Sequence, residues 1–172
     1  MITGLRLSVK WSAAHDYSNV VSVSEKAGST VVFWATDIDT EKTKENEPIV
    51  FDTVQVNEGG CYDNTTGVFT TTVPGTYVFT ATVGSGEDDR RVTAWITVDG
   101  TDYATLYGSY TSTGSSSVSV QLGLGQRVWV EAGSDADEYS PDDLCFTGAL
   151  VLPQLWHVDD DDDDHDHECL LF

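Results

Sequence analysis

Tyr62-Asp63-Asn64-Thr65-Thr66-Gly67-Val68-Phe69-Thr70, and shortly after it Val73-Pro74-Gly75-Thr76-Tyr77-Val78-Phe79-Thr80-Ala81-Thr82-Val83, combine glycine-marked turns with a strict period of two. Tyr77, Phe79, Ala81 and Val83 fall on one face of an extended chain, and Thr76, Val78, Thr80 and Thr82 on the other. That alternation is the pattern of a half-buried β-strand. Gly67 and Gly75 stand where turns are expected, and Pro74 sets φ just before the strand. Phe51, Phe69, Tyr77 and Phe79 supply the large apolar area that a core between two sheets needs. They read as packing residues, not as a binding box.

The same signals continue on both sides. Upstream, Val31-Val32-Phe33-Trp34-Ala35 reads as a strand, a charged loop from Asp37 to Glu47 follows, and Pro48-Ile49-Val50-Phe51-Asp52-Thr53-Val54 reads as a strand that starts on proline. Downstream, Asp99-Gly100 between Val92–Val98 and Thr101–Tyr107 is a two-residue hairpin signal. Val118, Val120 and Leu122 share a face, a glycine turn spans Gly123–Gln126, and Val128-Trp129-Val130 and Cys145–Val151 close the series. Eight to ten short strands with frequent turns predict an all-β sandwich or jelly roll. No long stretch carries the helical 3.6-residue repeat, and no apolar run is long enough for a membrane-spanning helix. Three zones are expected: an N-terminal arm over residues 1–28, with Val20-Val21-Ser22-Val23 as a strand or extended piece; a β domain over 29–153; and an acidic tail over 154–172.

The segments Pro48–Asp52, Asn57-Glu58-Gly59, Tyr62–Thr70 and Val73–Phe79 together resemble the signature of the C1q globular domain, in the C1q/TNF-like superfamily. Leu122–Trp129 is similar to that family's leucine, glycine, valine-tryptophan stretch, with Gln126 where aspartate is common, and Phe146-Thr147-Gly148-Ala149-Leu150 is similar to its closing strand. The resemblance implies a ten-stranded jelly-roll sandwich that assembles as a homotrimer. Its signature positions, core or trimer-forming, would be Phe51, Tyr62, Gly67, Phe69, Pro74, Gly75, Tyr77, Phe79, Trp129, Phe146 and Gly148. It further implies that both chain ends leave the domain at one pole, so that arm and tail form an attachment module. Loops Gly84–Arg91 and Ser134–Asp143 would be the variable surface. Some members of the family hold calcium near the trimer apex. The corresponding stretch here, Gly108–Thr113, has no carboxylate, so that site is expected to be missing.

Candidate chemistry is sparse. Asp135, Asp137, Glu138, Asp142 and Asp143 cluster in one loop and have the oxygen ligands a hard cation such as calcium takes, although a solvated acidic loop is the plainer reading. His165 and His167, beside Glu168 and Cys169, are metal-ligand types without a recognised spacing, and an acidic peptide, solvated or docked on a partner, explains them as well. The four histidines, His15, His157, His165 and His167, all lie outside the strand core. With no nucleophile elbow and no phosphate loop, no catalytic residues and no enzymatic activity are expected. Cys61, Cys145 and Cys169 do not make a disulfide framework; a Cys61–Cys145 bridge is conceivable, with free thiols the simpler expectation. Asn64-Thr65-Thr66 is a glycosylation sequon, meaningful only in an exported chain.

The net charge is −21, from 29 acids against 8 bases, and the tail from Asp159 to Glu168 holds only 8 of those acids. Acidity so widely spread excludes nucleic acid and anionic membranes as natural partners. With so little lysine it is similar to the pattern of proteins from salt-loving microbes, where a Debye length of about 3 Å at ~1 M salt screens self-repulsion. Residues Met1–Trp11 lack the apolar core of a secretory leader: if Met1 is the native start, export by that route is not expected, and if it is not, a leader can have preceded it. Added to the trimer that the family resemblance implies, these features predict a structural or adhesive module on a virion surface, as a capsid decoration, turret or fibre head of a halophilic host. Arm and tail would bind the shell or fibre protein, and the loops a surface receptor or glycan. The alternative is a secreted animal C1q-domain recognition protein with lectin-like binding.

Overall fold

A computed structural model of the chain describes residues 4–8, 22–26, 30–86, 90–134, 139–140 and 144–154. Twelve strands run in chain order: β1 (Gly4–Ser8), β2 (Ser22–Lys26), β3 (Val32–Ile38), β4 (Phe51–Glu58), β5 (Tyr62–Asp63), β6 (Val68–Thr70), β7 (Gly75–Val83), β8 (Arg91–Val98), β9 (Thr101–Ser109), β10 (Gly114–Leu122), β11 (Arg127–Ala132) and β12 (Cys145–Pro153). No helix occurs among the described residues. β1 and β2 pair antiparallel, Gly4 opposite Lys26 through Ser8 opposite Ser22, and belong to a unit separate from the compact body Val31–Gln154. β2 overlaps the expected Val20–Val23 piece, and β1 is a second strand of the arm beyond that expectation.

The other ten strands form two five-stranded sheets, ordered β10-β7-β12-β3-β4 and β5-β6-β11-β8-β9, with every pairing antiparallel. Neighbours distant in sequence, such as β12 between β7 and β3, make this a jelly roll and not a meander. β7 behaves as its alternation predicts. Tyr77, Phe79, Ala81 and Val83 are fully buried, and the intervening threonines and valine are half-buried on the outward side.

The inward aromatics interlock. Phe33 stacks on Tyr62 at 4.8 Å and meets Phe146 edge-on at 4.9 Å, while Phe69 meets Phe79 edge-on at 5.1 Å. Each such side chain contributes roughly 1.5–3 kcal/mol by leaving water, and favourable ring geometry adds about 0.5–1.5 kcal/mol per pair. Gly148 explains how they fit, because a Cβ there would lie 2.5–2.6 Å from ring carbons of Phe33 and Phe79. The Tyr62 hydroxyl donates to Phe51 C=O at 3.0 Å and accepts from Phe51 N–H at 3.2 Å, tying β5 to β4 across the edge between the sheets. Burial pushes the Tyr62 phenol well above its usual range, and the Tyr77 phenol, which donates to Val73 C=O, is pushed up to about 12 by the same cause.

The turns follow their local chemistry. Asp99 and Gly100 both have positive φ, 46° and 84°, as the two central residues of a type I′ hairpin require. Asp99 then accepts Arg127 N–H and the Gln126 amide, both at 3.0 Å, and Gln126 Oε1 accepts Gly123 N–H at 2.8 Å. The glutamine that departs from the family pattern is thus bonded into both neighbouring turns.

Two expectations need correction. No strand starts at Pro48. Pro48 makes an isolated bridge to Glu131, Ile49 N–H donates to Val130 C=O, and Val50 C=O accepts Asp39 N–H, so β4 begins only at Phe51. Those backbone groups lace β11 to the β3–β4 loop and are not free for a ladder. Gly75 does not sit in a turn either. It opens β7, and a Cβ there would run into the Leu152 carbonyl oxygen, so close approach of β12 is what demands glycine. Gly67, by contrast, has φ +73° in the β5–β6 turn, as expected.

Candidate functional site: an uncharged sheet face

The register of the first sheet assembles a feature that no single strand shows. One transverse row, in sheet order, reads Ser117, Thr80, Thr147, Trp34 and Val56. The row on one side reads Ser115, Thr82, Cys145, Thr36 and Thr53, and the row on the other reads Ser119, Val78, Ala149, Val32 and Glu58. Fifteen positions in a chain of net charge −21 hold one charge, on the β4 margin.

Each strand contributes by alternation. β10 turns Val120 and Leu122 inward and Ser115, Ser117 and Ser119 outward, β7 turns threonines outward, and β12 buries Phe146 while exposing part of Cys145 and Thr147. Near β10 the face is a hydroxyl array already bonded within itself. Thr80 and Ser117 hydroxyls lie 2.7 Å apart, the Thr82 hydroxyl donates to Ser115 Oγ at 3.2 Å, and the Thr76 hydroxyl donates to Gln121 at 2.8 Å. Towards β4 it becomes apolar, with Trp34 47% exposed and Val54 and Val56 each 36% exposed. A surface whose hydroxyls near β10 are largely bonded to one another and whose one charge, Glu58, sits at the margin is one that copies of a highly acidic chain can press together with little charge desolvation.

The second sheet presents a different outward face. Trp129 is nearly buried there, its indole N–H donating to Glu131 at 3.1 Å and the Arg127 guanidinium lying 5.7 Å over its ring. Arg91, Asp102 and Glu131 add charge to this side.

The sequence candidates fall into three groups. Phe51, Tyr62, Phe69, Tyr77, Phe79, Phe146 and Gly148 come together in the core, with Gly67 and Pro74 at its turns. The two loops read as variable surface lie side by side where described: Ser85 and Tyr139 form a bridge, and Ser140 N–H donates to Gly84 C=O at 2.9 Å. Tyr139 anchors them by donating to Thr93 C=O at 2.6 Å and accepting Gly133 N–H at 3.2 Å. The metal candidates Asp135, Asp137, Asp142, Asp143, His165 and His167 all lie outside the described residues, as do Glu138 and the other two histidines. Among the described residues no three His, Cys, Asp or Glu side chains are placed to hold a metal ion. Cys61 and Cys145 are unbridged; the Cys61 sulfur lies 2.9 Å from the Thr72 hydroxyl.

The uncharged face escaped sequence reading. The serines alternating through β10 were a usable signal, but which strands lie beside them depends on β12 entering between β7 and β3.

Comparison with known proteins agrees with the geometry. Residues 32–151 match the family model described as the C1q domain. Mouse complement C1q tumor necrosis factor-related protein 3 is 31% identical over 102 residues, covering 56% of this chain and 41% of that protein, and the human protein of the same name matches equally. The chain therefore spans less than half the length of these curated relatives. Among solved structures, the globular domain of zebrafish complement 1qA protein superposes with a TM-score of 0.60 at 19% identity, covering 72% of this chain and 99% of that one. Murine APRIL at pH 8.0 gives 0.59 at 9% identity, with 71% and 99% covered.

Proposed function

The chain belongs to the C1q domain family, and on that premise we propose that it works as a homotrimeric, non-enzymatic binding module whose copies meet through the uncharged face of the first sheet. The observation that carries this reading is the row Ser117, Thr80, Thr147, Trp34, Val56, neutral from edge to edge in a chain of net charge −21.

The pole geometry supports a display role. β7 runs from Gly75, beside Pro153, to Val83, next to the Ser85–Tyr139 bridge, a span of about 27 Å at ~3.4 Å per residue. Leu150 N–H donates to Val31 C=O, and Gln154 N–H donates to Pro74 C=O, so the body's two ends emerge at one end of the sheet, with the paired loops at the other. Attachment would use residues 1–28 and 154–172, and ligand recognition the Gly84–Arg91 and Ser134–Asp143 loops, where Asp135, Asp137, Asp142 and Asp143 would hold any calcium. The setting is extracellular recognition. The animal relatives favour it over the virion surface, for which the charge of −21 is the remaining argument.

Light scattering on the full chain tests the assembly, and a trimer is expected. Thr80→Glu places one acid per copy at the centre of the face, so self-association should fall at least about tenfold, equivalent to ~1.4 kcal/mol, without loss of β circular dichroism. In a Cys169→Ser background the Cys145 thiol should react more slowly in the assembled protein than in the Thr80→Glu variant. A wild-type monomer, or a Thr80→Glu trimer as stable as wild type, would end the proposal.

A further inference from the structure

The chain has four asparagines, Asn19, Asn46, Asn57 and Asn64, and only Asn64 is followed two residues later by Ser or Thr. The structure places that residue in the four-residue turn, residues 64–67, that joins β5 to β6 at the edge of the second sheet. Asn64, Thr65 and Thr66 are all exposed. The turn is held from below and does not depend on the asparagine. Asp63 Oδ1 accepts Thr65 N–H at 2.8 Å and the Thr65 hydroxyl at 2.7 Å, and Asp63 C=O accepts Gly67 N–H at 2.8 Å. The Asn64 side chain reaches across the sheet edge, and its Nδ2 donates to Asp52 C=O at 3.0 Å.

We propose that Asn64 is an acceptor site for N-linked carbohydrate, and that its bond to Asp52 fixes the root of the attached sugar against the edge between the two sheets. In the transfer, Asn64 Nδ2 forms a bond to the anomeric carbon of an oligosaccharide carried on a lipid diphosphate. The bond from that carbon to the diphosphate oxygen breaks, the lipid diphosphate leaves with the electron pair, and one Nδ2 hydrogen departs as a proton. The second Nδ2 hydrogen remains and can donate to the Asp52 carbonyl once the chain has folded. The transfer takes place on the emerging chain, so the fold has only to leave the sugar in solvent, which an exposed turn does. The turn belongs to the second sheet and touches the first only at Asp52, near the start of its edge strand β4, so carbohydrate here lies at the margin of the face through which copies would meet and away from β10, β7 and β12.

The site rests on the extracellular reading, because only an exported chain meets the transferase. The test forces export. The full chain is expressed behind a secretory leader in a eukaryotic cell, and the secreted product is analysed by gel mobility with and without an amide-cleaving glycosidase, and by peptide mass spectrometry. A glycosidase-sensitive shift mapping to Asn64 is expected in wild type and in T65A, which preserves the acceptor pattern, and is expected to vanish in N64Q and T66A. T66A leaves the Asn64–Asp52 bond in place, so it decides the matter if N64Q is not secreted. Secreted wild-type protein without sugar at Asn64, or a shift that survives T66A, would overturn the proposal. Light scattering on the same material reports the trimer independently: a glycosylated monomer refutes the assembly alone, and an unglycosylated trimer refutes this site alone.

Discussion

Replacing Gly148 by alanine adds a single methyl group to β12, and the structure leaves no room for it. The added carbon would stand 2.5 Å from Phe33 Cε1 and 2.6 Å from both Phe79 Cδ1 and Cε1, where ordinary contact begins at 3.4 Å. Both rings must retreat by about 1 Å, yet each already has a neighbour behind it. Phe33 is held by Tyr62 at 4.8 Å and Phe146 at 4.9 Å, and Phe79 by Phe69 at 5.1 Å. Overpacking of a filled core costs typically 1–3 kcal/mol, and two clamped rings put G148A at the upper end, about 3 kcal/mol. For a unit of this size that is a fall of roughly 10 °C in Tm. Urea unfolding followed by tryptophan fluorescence, at one protein concentration because assembly adds stability, should show a lower midpoint with an unchanged slope. The control is Phe33→Leu, which removes ring edge from the crowded spot; G148A should cost at least about 1 kcal/mol less in that background. If G148A unfolds within about 0.5 kcal/mol of wild type, the packing argument fails, and with it the explanation of why this strand carries glycine.

Other tests probe different parts of the molecule. Tyr62→Phe leaves the N–H and C=O of buried Phe51 without the hydroxyl that now serves both, so it should cost about 1–3 kcal/mol, read from the urea midpoint; a neutral effect would show that the two groups find other partners. Tyr62 and Tyr77 both hold their protons to higher pH folded than unfolded, so the unfolded chain ionises first. Stability should therefore be flat below about pH 9 and fall from near pH 10 upward, by up to about 1.4 kcal/mol per pH unit for each tyrosine, as measured by urea midpoints and phenolate absorbance. Rising stability across that range would contradict the burial of the two hydroxyls. With a net charge of −21, Tm should also climb from ~0.05 M to ~1 M sodium chloride as the Debye length shrinks from about 14 Å to 3 Å; equal values would show that self-repulsion is not a significant cost.

Local periodicity and turn chemistry were enough to read the β class, the buried face of β7 and the Asp99-Gly100 hairpin, because each depends on residues within about ten positions of one another; the family was legible through its resemblance, carried by segments spread from Pro48 to Leu150. Phe51, Phe69, Tyr77 and Phe79 could be assigned to the core for the same reason, since alternation says which side of a strand is apolar before its partner is known. What surrounds them was another matter. Gly148 looks like any other glycine until Phe33 and Phe79 are brought against it from two other strands, and Pro48 reads as the start of a strand until Val130 claims the next N–H. The uncharged face belongs to the same class. Ser117, Thr80, Thr147, Trp34 and Val56 are spread over more than a hundred residues of chain, and register, a long-range property of the sheet, sets them in one row. The amino-acid sequence settled what kind of layer each strand could join, because alternation is written into neighbouring residues; the folded structure alone settled which residues share a surface, because strand order and register arise only when distant segments meet.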